Sequence, residues 1–147
     1  MSKQLNDTVE ILLVEDNPGD VRLIKECLQQ SKFRHTLHVC VDGEDALAYL
    51  HKRGDYTDTP RPDLIILDLN LPMLDGRETL ALIKKDRDLR SIPVVVLTSS
   101  EAAHDVSKIY DLQANAYIVK PTDLEKFAEA MRSIEEFWMK TARLPTK

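Results

Sequence analysis

The sequence predicts an α/β protein built on a parallel sheet of five strands, with five helices packed against its two faces. Four short apolar runs, at 11–14, 64–67, 94–97 and 116–119, have the continuous apolar character of strands buried on both faces. The stretches between these runs repeat apolar residues at helical spacing. Strict alternation of strands and helices favours parallel strands joined by right-handed crossovers.

The first half of the chain predicts two strands, each followed by a helix. Asn17 and Pro18 follow the first strand as an N-cap and a proline in the first helical position. Alternating apolar residues at 37–41 predict the second strand, which Asp42-Gly43 ends. Apolar residues within 46–50 then predict a short helix.

The second half predicts three more strands and three more helices. A strand over 64–69 leads to a turn at Asp75-Gly76, where the third helix opens. Pro93 precedes the fourth strand, and apolar spacing at 103–109 marks the fourth helix. Asp123 is the expected N-cap of the last helix. The apolar face of that helix comprises Leu124, Phe127, Ala128, Met131, Ile134 and Trp138.

Composition limits the class of protein. The 147 residues suit one domain, and the net charge of −5 argues against nucleic acid as the main partner. Cys27 and Cys40 lie outside any metal or redox motif, which indicates thiols in a reducing compartment. No apolar run approaches the ~20 residues of a membrane span, and the N-terminus lacks a signal-peptide core. We therefore expect a cytoplasmic protein with no membrane partner.

Polar residues follow four of the predicted strands at the point where each strand ends. Glu15 and Asp16 follow the first strand, and Asp68, Thr98 and Lys120 follow the third, fourth and fifth. Ligand sites of open α/β sheets lie at the carboxyl edge of the strands. These five side chains are therefore expected to converge on one small pocket.

The residue types in this pocket suit phosphoryl chemistry. Three carboxylates placed together repel one another and call for a cation, and oxygen ligands suit Mg²⁺ or Mn²⁺. Asp68 is the candidate nucleophile, while Lys120 and Thr98 can orient phosphoryl oxygens. Taken singly, each residue also has a structural interpretation: an N-cap or salt bridge for Asp68, an exposed lysine for Lys120, and a helix-capping hydroxyl for Thr98.

Five separated elements resemble the receiver domain of two-component response regulators. They are Glu15-Asp16, Asp68 within Leu-Asp-Leu-Asn-Leu-Pro, Asp75-Gly76, Thr98-Ser99 and Lys120-Pro121. The resemblance implies a flavodoxin-like (CheY-like) three-layer sandwich with strand order 2-1-3-4-5. It also implies a receiver domain at 9–140, tails at 1–8 and 141–147, and no output domain.

The resemblance further implies a role for each matched residue. Asp68 would be phosphorylated by a phosphohistidine on a sensor histidine kinase. Mg²⁺ would be bound by Asp16, Asp68 and the backbone carbonyl of Asn70, with Glu15 nearby or acting through water. Tyr117 would be the aromatic switch that responds to Thr98. The Lys120–Pro121 peptide bond would be cis.

A narrower resemblance is to the small receivers that pair with bacterial phytochrome kinases. It rests on the segment 69–72, the proline-rich loop before the third strand, and the tail from Phe137-Trp138 to Leu144-Pro145. We expect output through a homodimer of helix four, strand five and helix five, with Tyr117, Phe137 and Trp138 as interface candidates. Adjacent aromatics cannot share one narrow stripe, so either one faces outward or the helix end bends.

Three other classes of protein fit the sequence less well. An aspartyl-phosphate phosphatase or phosphotransferase would carry its nucleophile after the first strand and have a cap domain. A receiver that had lost phosphorylation would lack Asp68, Lys120 or the acidic pair. A flavin-binding electron carrier would need a Ser/Thr/Gly-rich first loop, whereas the loop here is acidic.

Overall fold

The computed structural model describes residues 8–31, 33–99 and 103–141, except for the side chains of 103–105 and 139–141. Strands and helices alternate as predicted. The strands are β1 (Val9–Val14), β2 (His35–Cys40), β3 (Leu64–Leu67), β4 (Val94–Thr98) and β5 (Ala116–Val119). The helices are α1 (Pro18–Gln29), α2 (Gly43–Leu50), α3 (Gly76–Lys85), α4 (Ala103–Asp111) and α5 (Leu124–Ile134). A 3₁₀ turn covers Gly54–Tyr56, and a π-helical segment, Glu135–Thr141, follows α5.

The five strands form one parallel sheet in the order β2-β1-β3-β4-β5, which confirms the predicted fold class and strand order. Because side chains alternate along a strand, each central strand feeds two cores. Leu12 and Val14 face the core shared with α2, α3 and α4. Ile11 and Leu13 face the core shared with α1 and α5.

Side-chain caps begin the helices where the sequence predicts them. Asn17 Oδ1 accepts a hydrogen bond from the amide of Asp20 at 3.1 Å, and Pro18 occupies the first turn of α1. Asp123 Oδ1 accepts from the amides of Glu125 and Lys126 at the start of α5. These caps satisfy amide groups that have no partner within the helix. Each helix therefore begins directly after the edge of the sheet where the polar residues gather.

Two expectations for the last helix need correction or refinement. Leu124 was expected on the buried face but is 67% exposed, because it is the first residue of α5 and the apolar cluster begins one turn later at Phe127. Of the two adjacent aromatics, Phe137 is 51% exposed and Trp138 packs against the α1–α5 core. The prediction that one aromatic faces outward is confirmed. Of the expected tail at 141–147, residue 141 ends the π-helical segment and residues 142–147 lie outside the described residues.

The expected cis peptide between Lys120 and Pro121 is wrong. The described backbone contains no cis peptide bond, so this bond is trans. The trans form of an X–Pro bond is favoured by about 0.5–1 kcal/mol when nothing in the surroundings selects the other isomer.

No helix in the described part of the chain is long and apolar enough to cross a bilayer.

Gly76 allows the loop after β3 to fold tightly against the start of α3. A Cβ atom at this position would lie 2.2 Å from the carbonyl oxygen of Asp68 and 2.6 Å from the Cα of Leu69. The Gly76 amide also donates to the carbonyl of Leu69 at 3.0 Å. Because Gly76 has no side chain, the start of α3 can pack directly against the backbone of Asp68 and Leu69.

We expect Gly76→Ala to lower the free energy of unfolding by about 1–3 kcal/mol, because backbone atoms must move to admit the methyl group. Urea denaturation measures the change. Ser107→Ala, at an exposed position of α4, is the control and is expected to alter stability by less than about 0.5 kcal/mol. Equal stability of Gly76→Ala and the wild type would contradict this account of the loop.

Candidate functional site

The carboxyl edge of the sheet forms a pocket of about 420 Å³, as the sequence predicts. The loop after β1 contributes acidic residues, β3 is followed by a further aspartate, and the residue after β5 is a lysine. The lining residues are Glu15, Asp16, Asn17, Pro18, Asp20, Asp68, Asn70, Ser99 and Lys120. Four of the five polar strand-end residues therefore line one pocket, and the fifth, Thr98, precedes the lining residue Ser99.

Backbone hydrogen bonds continue the sheet ladder to these residues. The amide of Glu15 donates to Cys40 at 3.0 Å, and the amide of Asp68 donates to Val14 at 3.0 Å. The amide of Lys120 donates to the carbonyl of Thr98 at 2.7 Å. Because the main chain is held at each strand end, the side chains start from fixed points.

The ammonium of Lys120 lies at the centre of the acidic groups. Its Nζ is 2.5 Å from Glu15 Oε1, 2.9 Å from Asp20 Oδ2 and 3.5 Å from Asp68 Oδ2. The lysine side chain is only 10% exposed. Burial acts to lower the pKa of Lys120, but the hydrogen bonds to Asp20 and Glu15 outweigh burial and raise it. Lys120 is therefore held as a cation.

Glu15 is the most buried acidic residue of the pocket, at 1% exposure. Burial raises its pKa to about 7, and the nearby Asp68 acts in the same direction, whereas the hydrogen bond from Lys120 opposes the rise. Its Oε2 also accepts from the amide of Asn17 at 3.2 Å. A single ammonium thus does not fully compensate the carboxylates around it.

The acidic groups fit a hard divalent cation. One carboxylate oxygen each from Glu15, Asp16 and Asp68 lies within 4.8 Å of the others, and Asp16 is exposed toward solvent. Mg²⁺ and Mn²⁺ prefer oxygen ligands and keep several waters, which an open carboxylate on Asp16 permits. Asn70 lines the same pocket and is exposed.

Two polar atoms near the pocket are buried without a partner among the described residues. They are Asp68 Oδ1 and Thr98 Oγ1. A buried polar atom without a hydrogen bond costs roughly 1–3 kcal/mol, so such atoms are rare unless a ligand uses them. Here an acceptor and a donor are both unpaired at neighbouring strand ends.

The structure adds one residue that the sequence reasoning missed and separates another from the pocket. Asp20 binds Lys120, and the available signal was its place in the first turn of a helix that begins at this edge. Tyr117 does not line the pocket. It is half-buried against the core under α2–α4, and its amide donates to the hydroxyl of Tyr110 at 3.1 Å.

Comparison with known proteins places the chain in a family. The response regulator receiver domain matches residues 11–132. Response regulator Rcp1 of Synechocystis is 47% identical over 145 residues, covering 99% of this chain and 99% of that protein.

Solved structures agree with the sequence match. The phosphorylated cyanobacterial phytochrome response regulator RcpA has a TM-score of 0.92 at 48% identity, over 95% of this chain and 100% of that chain. The Mn²⁺-bound form of Rcp1 has a TM-score of 0.91 at 47% identity, over 94% of this chain and 99% of that chain. The chain belongs to the response regulator receiver family, whose members are signalling proteins.

Proposed function

We propose that this response regulator accepts a phosphoryl group on Asp68 and signals through protein contacts that phosphorylation controls. The observation that supports this most is that two buried oxygens at neighbouring strand ends, Asp68 Oδ1 and Thr98 Oγ1, have no partner among the described residues, while the ammonium of Lys120 lies 3.5 Å from Asp68 Oδ2. A phosphoryl group on Asp68 offers oxygen acceptors to both the hydroxyl and the ammonium. Phosphorylation would thus supply the partners that the resting site lacks.

The proposed reaction needs few groups. A carboxylate oxygen of Asp68 attacks the phosphorus of a phosphohistidine, the P–N bond breaks, and the imidazole leaves with the electron pair of that bond. Lys120 stabilises negative charge on the transferred oxygens, and the Thr98 hydroxyl donates a hydrogen bond to one of them. The fixed strand ends hold these groups in place, so positioning and electrostatics supply the catalysis.

Glu15, Asp16, Asp68 and the backbone carbonyl of Asn70 would hold Mg²⁺ or Mn²⁺. When bound, the cation neutralises charge that would otherwise repel an incoming phosphoryl group. The acidic cluster and the Mn²⁺-bound structure of the relative Rcp1 support this assignment.

We infer that the phosphoryl donor is a sensor histidine kinase of the phytochrome type. The support comes from similarity over nearly the whole chain to the phytochrome response regulator RcpA, at 48% identity. Bacteriophytochrome response regulators are also among the related structures, one at 40% identity. The expected place of action is the cytoplasm.

The output surface is proposed to be the face made by α4, β5 and α5, where two copies would form a homodimer. The backbone amide of Tyr117 on β5 donates a hydrogen bond to the hydroxyl of Tyr110 on α4, so movement of this strand would be passed on to the helix. Phe137, in the segment that follows α5, offers an exposed aromatic ring, and the Trp138 ring packs edge-on against it with 5.0 Å between the ring centroids. Exposed aromatics are favoured in interfaces.

The phosphorylation proposal predicts one phosphoryl adduct after incubation with acetyl phosphate and Mg²⁺, measured by intact-mass spectrometry. Asp68→Asn is expected to carry no adduct, because the amide is not a nucleophile. Asp58→Asn, at an exposed loop position, is the control and should behave as the wild type. If the wild type takes no phosphate from acetyl phosphate or from a phytochrome-type kinase, the proposal is wrong.

The metal proposal predicts that Mg²⁺ or Mn²⁺ raises the melting temperature. Binding only to the folded state stabilises it by about 2.7 kcal/mol at a metal concentration 100 times the dissociation constant. Asp16→Asn should lose most of this gain, since it removes an exposed carboxylate ligand but no described hydrogen bond. Asp58→Asn should keep the gain, and an equal response in both variants would place the metal elsewhere.

The dimer proposal predicts that Phe137→Ala weakens self-association at least about tenfold, as truncation of an interface anchor does. Sedimentation velocity of the phosphorylated and unphosphorylated protein measures this. Leu82→Ala is the matched control, because Leu82 is also a large apolar side chain, 47% exposed, but lies on α3. A monomer in both phosphorylation states would exclude the dimer.

A further inference from the structure

A second pocket, of about 270 Å³, lies between the C-terminal ends of α1 and α5. Cys27, Phe33 and Ala128 supply apolar walls, and Glu135 supplies a carboxylate. α1 begins beside the acidic pocket and ends here, about 18 Å away for twelve residues at 1.5 Å each. The two pockets share no lining residue.

Glu135 is a buried acid with one carboxylate oxygen that lacks a hydrogen-bond partner among the described residues. It is 7% exposed, and its Oε1 has no hydrogen bond within the described part of the chain. Burial raises its pKa and the charge of Glu136 acts in the same direction, while the charge of Arg132 opposes the rise. A carboxylate in this position destabilises the fold unless a ligand compensates it.

The helical spacing explains why an acid is buried here. Phe127, Met131 and Ile134 form the buried stripe of α5, and residue 135 falls four positions after Met131 on the same face. The helix also changes at this residue, because the π-helical segment Glu135–Thr141 begins there. π-helical turns occur frequently at functional sites.

We propose that this pocket binds an alkyl cation, an ammonium or guanidinium group carried on an apolar stem. The cation would pair with the carboxylate of Glu135, and the stem would lie against Cys27, Phe33 and Ala128. The pocket is of a size to admit a fragment rather than a large molecule. A lysine or arginine side chain of another protein and a free small amine share this chemistry.

The test is a titration of the 147-residue protein with n-butylammonium at about pH 8, well above the ordinary glutamate pKa of about 4.3, because burial raises the pKa of Glu135. Amide chemical shifts in ¹⁵N-labelled protein report the site. We expect shifts at 27–33 and 128–136, and at least about tenfold weaker binding of n-butanol, the neutral analogue of similar shape. Ethylguanidinium is expected to bind at the same residues.

Two variants make the test specific. Glu135→Gln keeps the shape of the side chain but removes its charge, so it should weaken n-butylammonium binding at least about tenfold. It should also raise the melting temperature of the ligand-free protein, whereas loss of a purely structural acid would lower it. Glu129→Gln, at an exposed position of α5, should change neither quantity.

Three results would overturn the proposal: no shifts at these residues, equal binding of n-butanol, or undiminished binding by Glu135→Gln. A capped lysine, N-acetyl-lysine amide, then separates the two sources of the cation. Binding of the capped lysine supports a protein side chain as the natural occupant. Its rejection, with n-butylammonium still bound, supports a free small amine. Asp68→Asn should bind n-butylammonium as the wild type does, because the two pockets are separate.

Discussion

The acidic pocket depends on the ion pairs that the ammonium of Lys120 makes with the carboxylates around it. It contacts Glu15, Asp20 and Asp68 at 2.5–3.5 Å, from strand and helix positions far apart in the chain. At an effective dielectric of 20, two like charges ~4 Å apart repel by roughly 4 kcal/mol, so these carboxylates need a cation between them. With Asp16 included, four carboxylates share one ammonium. The remaining negative charge would attract a divalent cation, and a bound cation would offset the charge that otherwise repels an added phosphoryl group.

The hydrogen-bonded sheet holds the main chain in place, and the residues at its strand ends form the candidate site. Backbone hydrogen bonds extend the ladder to Glu15, Asp68 and Lys120, so the reactive groups are fixed by the most buried part of the fold. Asp68 Oδ1 and Thr98 Oγ1, which have no partner among the described residues, belong to residues at these strand ends. Stability is given up locally at functional sites, where groups are arranged for a ligand rather than for one another. Glu135, near the C-terminal end of α1, is a further case, because its buried Oε1 has no hydrogen-bond partner among the described residues.

Much of the fold could be predicted from the sequence, because the signals are local. Continuous apolar runs marked the buried strands, and Asn17 and Asp123 marked helix starts as capping residues. The polar residues that follow the strands predicted the pocket from the sequence, because parallel strands bring their carboxyl ends to one edge of the sheet. The strand order, the carbonyl ligand at Asn70 and the switch role of Tyr117 depended on resemblance to a family. The cis peptide, which rested on resemblance alone, was wrong.

The sequence by itself thus determined the alternation of elements, the capped helices and the set of residues at the carboxyl edge. Only the tertiary structure decided how those residues pair. Lys120 binds Glu15 and Asp20 more closely than Asp68, and Asp20 lies 100 residues away from it in the chain. Likewise, only packing decided that Phe137 faces solvent and that Glu135 is buried, with its Oε1 unpaired among the described residues. Periodicity and capping act within a few residues, whereas charge pairing and burial depend on which distant segments the folded sheet brings together.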